Sequence, residues 1–382
     1  MLTKFNAPER DMTKKLNQAS EDKPSIHHLL LIYKENMLKK GYFAGGLPNL
    51  FLRKSQEKLL SHLKPQHTST IGFEYHAQVG YLWHDFLLQT DYNGLRRIFH
   101  TLDPVYQNKT QNCGKLEALK TLCSTVDYKF KANSFTYWIE CDSIKGSNYS
   151  LFFTPRDRNL FTNNEKIHKF AWCLNKFNLK NNGFIGDSQI SHMNKIAMIA
   201  NECGGFVTEI GYLNRGEDLQ HIKLLVGKAE GAEDPQNKYT NDIIFIAKLL
   251  STIKEKTELQ ILAPCLDHIN ESICTYNPQA LFASISVHSS FISLEIEVYP
   301  PIDTTYVDEK ESTLSQCYIN FWDKIMAISK MNSLKNGDYS RYTKIGEIYS
   351  IEDKWNHVKF TRKYLTNNNH LKLYRKIRII SR

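Results

Sequence analysis

Apolar and polar residues alternate in short paired runs, and each pair is set beside stretches with helical spacing. The clearest pairs cover residues 135–155, 206–227, 281–301 and 357–380, with a weaker one over 68–89. In a strand, side chains two apart point to the same face. The second run of each pair therefore sorts into an apolar and a polar face. His221 shares a face with Lys223, Glu295 with Glu297 and Tyr299, and His370 with Lys372 and Tyr374, while Leu, Ile and Val take the other side. Turn residues fall at 144–148, 214–216, 288–290 and 366–369; Gly, Ser and Asn suit such positions. Repeated hairpins with one polar face, wrapped by helices, predict a closed barrel with a wet lumen.

Helical spacing covers 25–39, 54–63, 116–125, 164–177, 188–203, 240–256, 265–274 and 312–331. In the fifth of these, Ile190, Met193, Ile196, Ala197, Ile199 and Ala200 form one side, and Gly204-Gly205 supplies the stop. In the sixth, Ile243, Ile244, Ile246, Ala247, Leu249 and Leu250 are the expected buried face. The connections lack the crossover helices of a parallel sheet, and neither GxGxxG nor GxxxxGK[ST] occurs. The units run on without a glycine-rich linker, which predicts one domain over 25–382 behind a polar, flexible tail at 1–24.

The 382 residues are 41% hydrophobic and 23% charged, an ordinary globular composition with enough apolar material for a sizeable core. No run of 18 apolar residues offers a membrane-spanning helix. The first residues lack an apolar signal core, so a cytoplasmic location is expected. Eight cysteines without a CxxC pair or zinc spacing read as reduced thiols. A net charge of +9 suits nucleic acid, an anionic small molecule or plain solubility. Basic residues concentrate at Lys372, Arg375, Lys376, Arg378 and Arg382; the last four fit a solvated edge strand, whereas Lys372 alternates with Tyr374 inside the strand pattern.

The pattern resembles the aromatic prenyltransferases of the ABBA, or PT-barrel, type, in particular the indole prenyltransferase (dimethylallyltryptophan-synthase-like) branch. The resemblance runs from about Lys54 to Ile380. Thr70-Ile71-Gly72-Phe73-Glu74-Tyr75 is similar to the segment that carries the family's catalytic glutamate, TPxEFS. Ser150-Leu151-Phe152-Phe153-Thr154-Pro155 keeps the frame of KxYFxP, with Ser150 and Phe152 in place of Lys and Tyr. His221-Ile222-Lys223-Leu224-Leu225-Val226 resembles RIKIYV and keeps the lysine. Ile296-Glu297-Val298-Tyr299-Pro300 resembles VKLYxP, with Glu297 in place of the lysine. His370-Leu371-Lys372-Leu373-Tyr374 matches a last strand ending in VY.

The resemblance implies an α+β fold: ten antiparallel strands built from repeated αββα units, with helices outside and chemistry in the lumen. It implies transfer of a prenyl group from a prenyl diphosphate to an indole, phenol or other aromatic acceptor, small molecule or peptide. Glu74 is the implied acid/base residue. His221, Lys223, Tyr299, Lys372 and Tyr374 are the implied diphosphate ligands, without a cofactor or a requirement for magnesium. Glu297 opposes an anion there, so it is protonated, or paired with a lysine, or the ligand is not a diphosphate. The alternative from another class is a non-catalytic barrel that binds a peptide, lipid or nucleic acid. For nucleic acid, Lys359, Arg362, Lys363 and Tyr364 interleave basic and aromatic residues weakly, and no known motif accompanies them.

Overall fold

A computed structural model of the chain describes residues 24–39, 54–78, 81–106, 113–131, 133–141, 149–180, 185–214, 220–228, 238–276, 278–301, 316–329, 339–361 and 371–381. The expected tail, apart from Pro24, lies outside these residues, as do His370, Arg382, Arg362, Lys363, Tyr364 and the turns at 144–148 and 366–369. Helices α1 (Ile26–Lys39) and α2 (Lys54–His62) precede the hairpin β1 (Thr70–Gln78) and β2 (Tyr81–Thr90). Helices α3 (Tyr92–Tyr106) and α4 (Cys113–Phe130) lead to β3 (Phe135–Cys141) and β4 (Tyr149–Pro155). Next come α5 (Asn164–Lys180), α6 (Asp187–Glu202), β5 (Gly205–Asn214) and β6 (Gln220–Lys228). They are followed by α7 (Lys238–Lys256), the short β7 (Gln260–Leu262), α8 (Leu266–Ile273), β8 (Ala280–Val287) and β9 (Phe291–Tyr299). The chain closes with α9 (Gln316–Ile328), β10 (Ser340–Ile345), β11 (Tyr349–Phe360) and β12 (Leu371–Ser381).

Hydrogen bonding runs in the order β11-β12-β1-β2-β3-β4-β5-β6-β8-β9, and β9 returns to β11 where Ile296, Glu297 and Val298 face Phe360, Lys359 and Val358. The result is a closed ring of ten strands, antiparallel at every pairing. The closed barrel expected from the hairpin repeat is present, with the ten antiparallel strands and outer helices that the resemblance implies.

Three elements were not expected. β7 pairs in parallel with the start of β9, and β10 lies against β11; both sit outside the ring. β7 is only three residues long, too short to show alternation. Helix α3 carries Gly94 and Pro104, which mask helical spacing, yet Asp91 Oδ1 accepts from the Gly94 amide at 2.8 Å and caps its start.

The core lies between the helices and the outer face of the barrel, where Ile71, Phe73, Leu88, Phe153, Leu224 and Ile285 are all buried. The α6 face is as expected, and Gly204, at φ +87°, takes the left-handed conformation that ends the helix. The α7 face is rotated. Tyr239, Asp242, Phe245, Ile246, Leu249 and Ile253 are buried, and Ile244 is 59% exposed. The reason is polar: the buried Asp242 carboxylate accepts from the Leu281 amide at 3.0 Å and fixes which side of α7 meets β8.

The basic C-terminal segment is not an edge, because β12 is hydrogen-bonded to β1 on one side and β11 on the other. Arg375 is buried against Asp353 on the outer face, its Nε donating to Oδ1 at 2.6 Å, and Tyr33 of α1 donates to Oδ2 of the same carboxylate at 2.6 Å. No helix among the described residues is long and apolar enough to cross a membrane.

Candidate active site in the barrel lumen

Antiparallel register decides which side chains meet inside. Directly opposed residues share a face, so Glu74 faces Tyr374, Trp138 faces Phe152, and Glu140 faces Ser150. Phe152 faces Gly211, and Gly211 faces Lys223. On the closing strands Lys359 faces Lys372 on one side and Glu297 on the other. Two β-bulges re-aim the chain. Between Val207 and Glu209 the register of β5 shifts, so Val207 packs outward and Glu209 inward. Between Trp355 and His357 the register of β11 shifts, so Asp353 and Trp355 face the helices while His357 and Lys359 turn into the lumen. The cavity so formed measures ≈ 140 Å³, and its walls include Glu74, Trp138, Phe152, Lys223, Lys359 and Tyr374.

The charges inside are paired. Lys359 Nζ lies 2.6 Å from Glu297 and 3.9 Å from Glu295. Lys372 lies 3.2 Å from Glu74 and 3.5 Å from Glu295, and Lys223 lies 3.1 Å from Glu295. The Tyr374 hydroxyl donates to Glu74, and the Tyr299 hydroxyl to Glu297 at 3.5 Å. His357 is stacked between the two tyrosine rings, 4.8 Å from Tyr299 and 4.0 Å from Tyr374. Lys359 also lies over the Tyr374 ring at 4.9 Å.

Burial and neighbours set the protonation states. Burial pulls Lys223 down to about 8, with Lys359 and Lys372 adding to the effect and Glu295 resisting it. Burial acts on Lys359 in the same sense, but Glu297, Glu295 and Glu74 outweigh it and hold the ammonium above its ordinary value. Burial would neutralise Glu295 and Glu297; the lysines outweigh it and keep both carboxylates below their usual range. Burial takes His357 down to about 4, so its ring is neutral at neutral pH. Burial, with Glu297 adding, raises Glu209 to about 7, although the Thr154 hydroxyl donates to it at 2.6 Å.

The Glu209 shift has a testable sign. A carboxyl with a raised folded pKa contributes stability that is complete below its unfolded value, about 4.3, and is lost as pH climbs to about 7. The Glu209→Gln variant lacks this titration. Urea unfolding at about pH 5 and about pH 8 should show the wild type losing ground against Glu209→Gln as pH rises. A stability difference that does not move with pH would mean that Glu209 titrates as an ordinary carboxylate.

Of the residues expected from sequence, Glu74, Lys223, Tyr299 and Tyr374 line the cavity, and Lys372 reaches it through Glu74. His221 shares the lumen side of β6 with Lys223, but it is stacked on His288 at 4.4 Å, with His288 on Phe291 at 4.1 Å, and is not among the lining residues. Glu297 is paired with a lysine, which resolves its conflict with an anionic ligand. Sequence reasoning missed Glu140, Glu209 and His357 and set Lys359 in a nucleic-acid cluster. Lys359 is instead buried in the lumen. Among the described residues, no group of three or more His, Cys, Asp or Glu is placed to hold a metal ion.

No protein-family model matches the chain, and no curated protein matches it in sequence. Solved structures to which it is similar include NotF in complex with brevianamide F and DMSPP, at 11% identity over 95% of this chain and 97% of that one, with a TM-score of 0.44. AnaPT from Neosartorya fischeri is 10% identical over 95% of this chain and 90% of that one, with a TM-score of 0.40. A 5-dimethylallyltryptophan synthase from Streptomyces coelicolor is 8% identical over 80% of each chain, with a TM-score of 0.42. The barrel assignment rests on the chain's own hydrogen-bonded closure, β9 to β11.

Proposed function

We propose that the lumen transfers a prenyl group from a prenyl diphosphate to an aromatic acceptor. The observation that carries this reading is the convergence of Lys223, Lys359 and Lys372 with Glu74 and the stacked Tyr299, His357 and Tyr374 rings inside a closed barrel. The bond between the prenyl carbon and the diphosphate oxygen breaks, and its electron pair leaves on the diphosphate. The lysine ammoniums stabilise that developing charge in a site shielded from water. The aromatic rings face the allylic cation, each worth about 2 kcal/mol when desolvated. An acceptor ring carbon supplies the electron pair for the new bond, and its proton passes to Glu74, which Tyr374 and Lys372 hold in place.

In this reading residues 25–382 act as one unit, since every hairpin contributes to the lumen. The lysines supply the positive charge, so turnover proceeds without added magnesium. The reaction belongs in the cytoplasm, where the free thiols of Cys123, Cys173, Cys203, Cys265 and Cys317 stay reduced.

The test is incubation with dimethylallyl or geranyl diphosphate and a panel of indoles, phenols and tyrosyl or tryptophyl peptides, in the presence of a chelator. Pyrophosphate release and the mass gain of the acceptor are the readouts. An unconsumed donor across the whole panel would sink the proposal. Within it, Lys223→Ala should weaken donor binding by about 1.5–3 kcal/mol, the range for a charged hydrogen bond. Unchanged affinity would remove Lys223 from the donor site.

A further inference from the structure

We infer that Glu295 is a built-in competitor for the donor's anionic head: it holds the three lumen lysines when no donor is bound and yields them when a diphosphate enters. This rests on the prenyl-transfer reading for the identity of the ligand, and on the geometry of one carboxylate for the rest. Both Glu295 oxygens are engaged by ammoniums from three different strands. Oε2 meets Lys223 of β6 at 3.1 Å and Lys359 of β11 at 3.9 Å, and Oε1 meets Lys372 of β12 at 3.5 Å. An anion gripped by converging lysines is the arrangement that a phosphate group requires.

The neighbouring carboxylates differ. Glu297 is shared between Lys359, His357 and the Tyr299 hydroxyl, and Glu74 between Lys372 and the Tyr374 hydroxyl. The ion-pair partners of Glu295 are the three lysines. It is also the most accessible of the three, with its side chain 16% exposed against 7% for Glu297 and 4% for Glu74. Glu295 therefore has the shortest way back to water.

Charge balance requires some such device. Two buried lysines and a third, Lys372, only 12% exposed, would strongly destabilise the barrel without counter-ions, and their ion-pair partners Glu74, Glu295 and Glu297 match them one for one. A diphosphate added to that balanced cluster brings a surplus of negative charge into a site of low dielectric. Withdrawing Glu295 releases Lys223, takes the second carboxylate away from Lys359 and Lys372, which keep Glu297 and Glu74, and offsets part of the added negative charge. The same carboxylate then competes with the pyrophosphate product and favours its release.

The experiment uses inorganic pyrophosphate as the probe, titrated into the full chain by calorimetry. Glu295→Gln should bind it about ten- to a hundredfold more tightly than the wild type, the scale set by removing one like charge a few ångströms away. It should also melt at a lower temperature in the absence of pyrophosphate. Should the Gln variant not fold, Glu295→Asp draws the carboxylate back by one methylene and should bind severalfold more tightly than the wild type. Equal or weaker binding by a folded variant, or no pyrophosphate binding by either protein, overturns the inference. Tightened binding with no acceptor ever alkylated would keep the competitor and remove prenyl transfer. Alkylation by a wild type whose folded Glu295 variant binds no tighter would do the reverse.

Discussion

Replacing Glu74 with Gln is expected to lower prenyl-transfer turnover by about two to four orders of magnitude, the usual contribution of a positioned general base. Donor affinity should move far less than turnover, because Glu295 takes over Lys372 when the Glu74 charge is gone. The amide keeps the shape of the side chain and can still accept from the Tyr374 hydroxyl, so the wall of the cavity stays in place. What it cannot do is take a proton from the acceptor. The buried position sharpens the effect, because Glu74 is only 3% exposed to the solvent that could replace it. One consequence complicates the variant and helps to interpret it: Lys372 loses the carboxylate at 3.2 Å and leans more on Glu295. Single-turnover rates and donor affinity, measured separately, divide the two effects. A Glu74→Gln protein that alkylated its acceptor at the wild-type rate would leave Glu74 with a structural role only.

Most of the site was legible wherever a strand runs without interruption. Two-residue alternation alone set Lys223, Tyr299, Lys372 and Tyr374 on polar faces, and the closed ring turns those faces inward. Alternation fails at a bulge. By parity Asp353, Trp355, His357 and Lys359 share one face. The register shift after Trp355 splits them, giving Asp353 and Trp355 to the outer core and His357 and Lys359 to the lumen. Glu209 was hidden in the same way by the shift after Val207. The charge pairing was illegible for another reason. The three lysines on Glu295 come from β6, β11 and β12, none of which is the hairpin partner of β9, and only the closure from β9 to β11 brings Lys359 beside Glu297. Closure also overturns the edge-strand reading of the C-terminal basic residues, since a ring leaves β12 no free edge.

Lys359 sits where these effects meet, and removing it should cost the barrel about 3–5 kcal/mol, the range for breaking a buried ion pair by deleting one partner. A methionine in its place fills much of the volume. It leaves Glu297 without the ammonium at 2.6 Å, with a neutral imidazole and a phenol beside it and the more distant Lys223 as a remaining positive charge. The pH dependence separates this from a packing defect. The folded pKa of Glu297 is depressed in the wild type, so the stability it contributes is present above its unfolded value of about 4.3 and fades as pH falls. Lys359 is shifted the other way, so its contribution is complete below its unfolded value of about 10.4 and is lost only as pH rises beyond it. The gap between the wild type and Lys359→Met should therefore be widest near neutral pH and narrow towards about pH 4. Adding Glu297→Gln to Lys359→Met removes the stranded charge and should recover most of the loss, while donor affinity stays low because one ammonium is still missing. Urea unfolding of the single and double variants at neutral and acid pH reads all of this. A loss below about 1 kcal/mol, the size typical of exposed ion pairs, would mean that water reaches the Lys359–Glu297 pair and that the lumen is not the shielded, charge-paired site that the proposed chemistry requires.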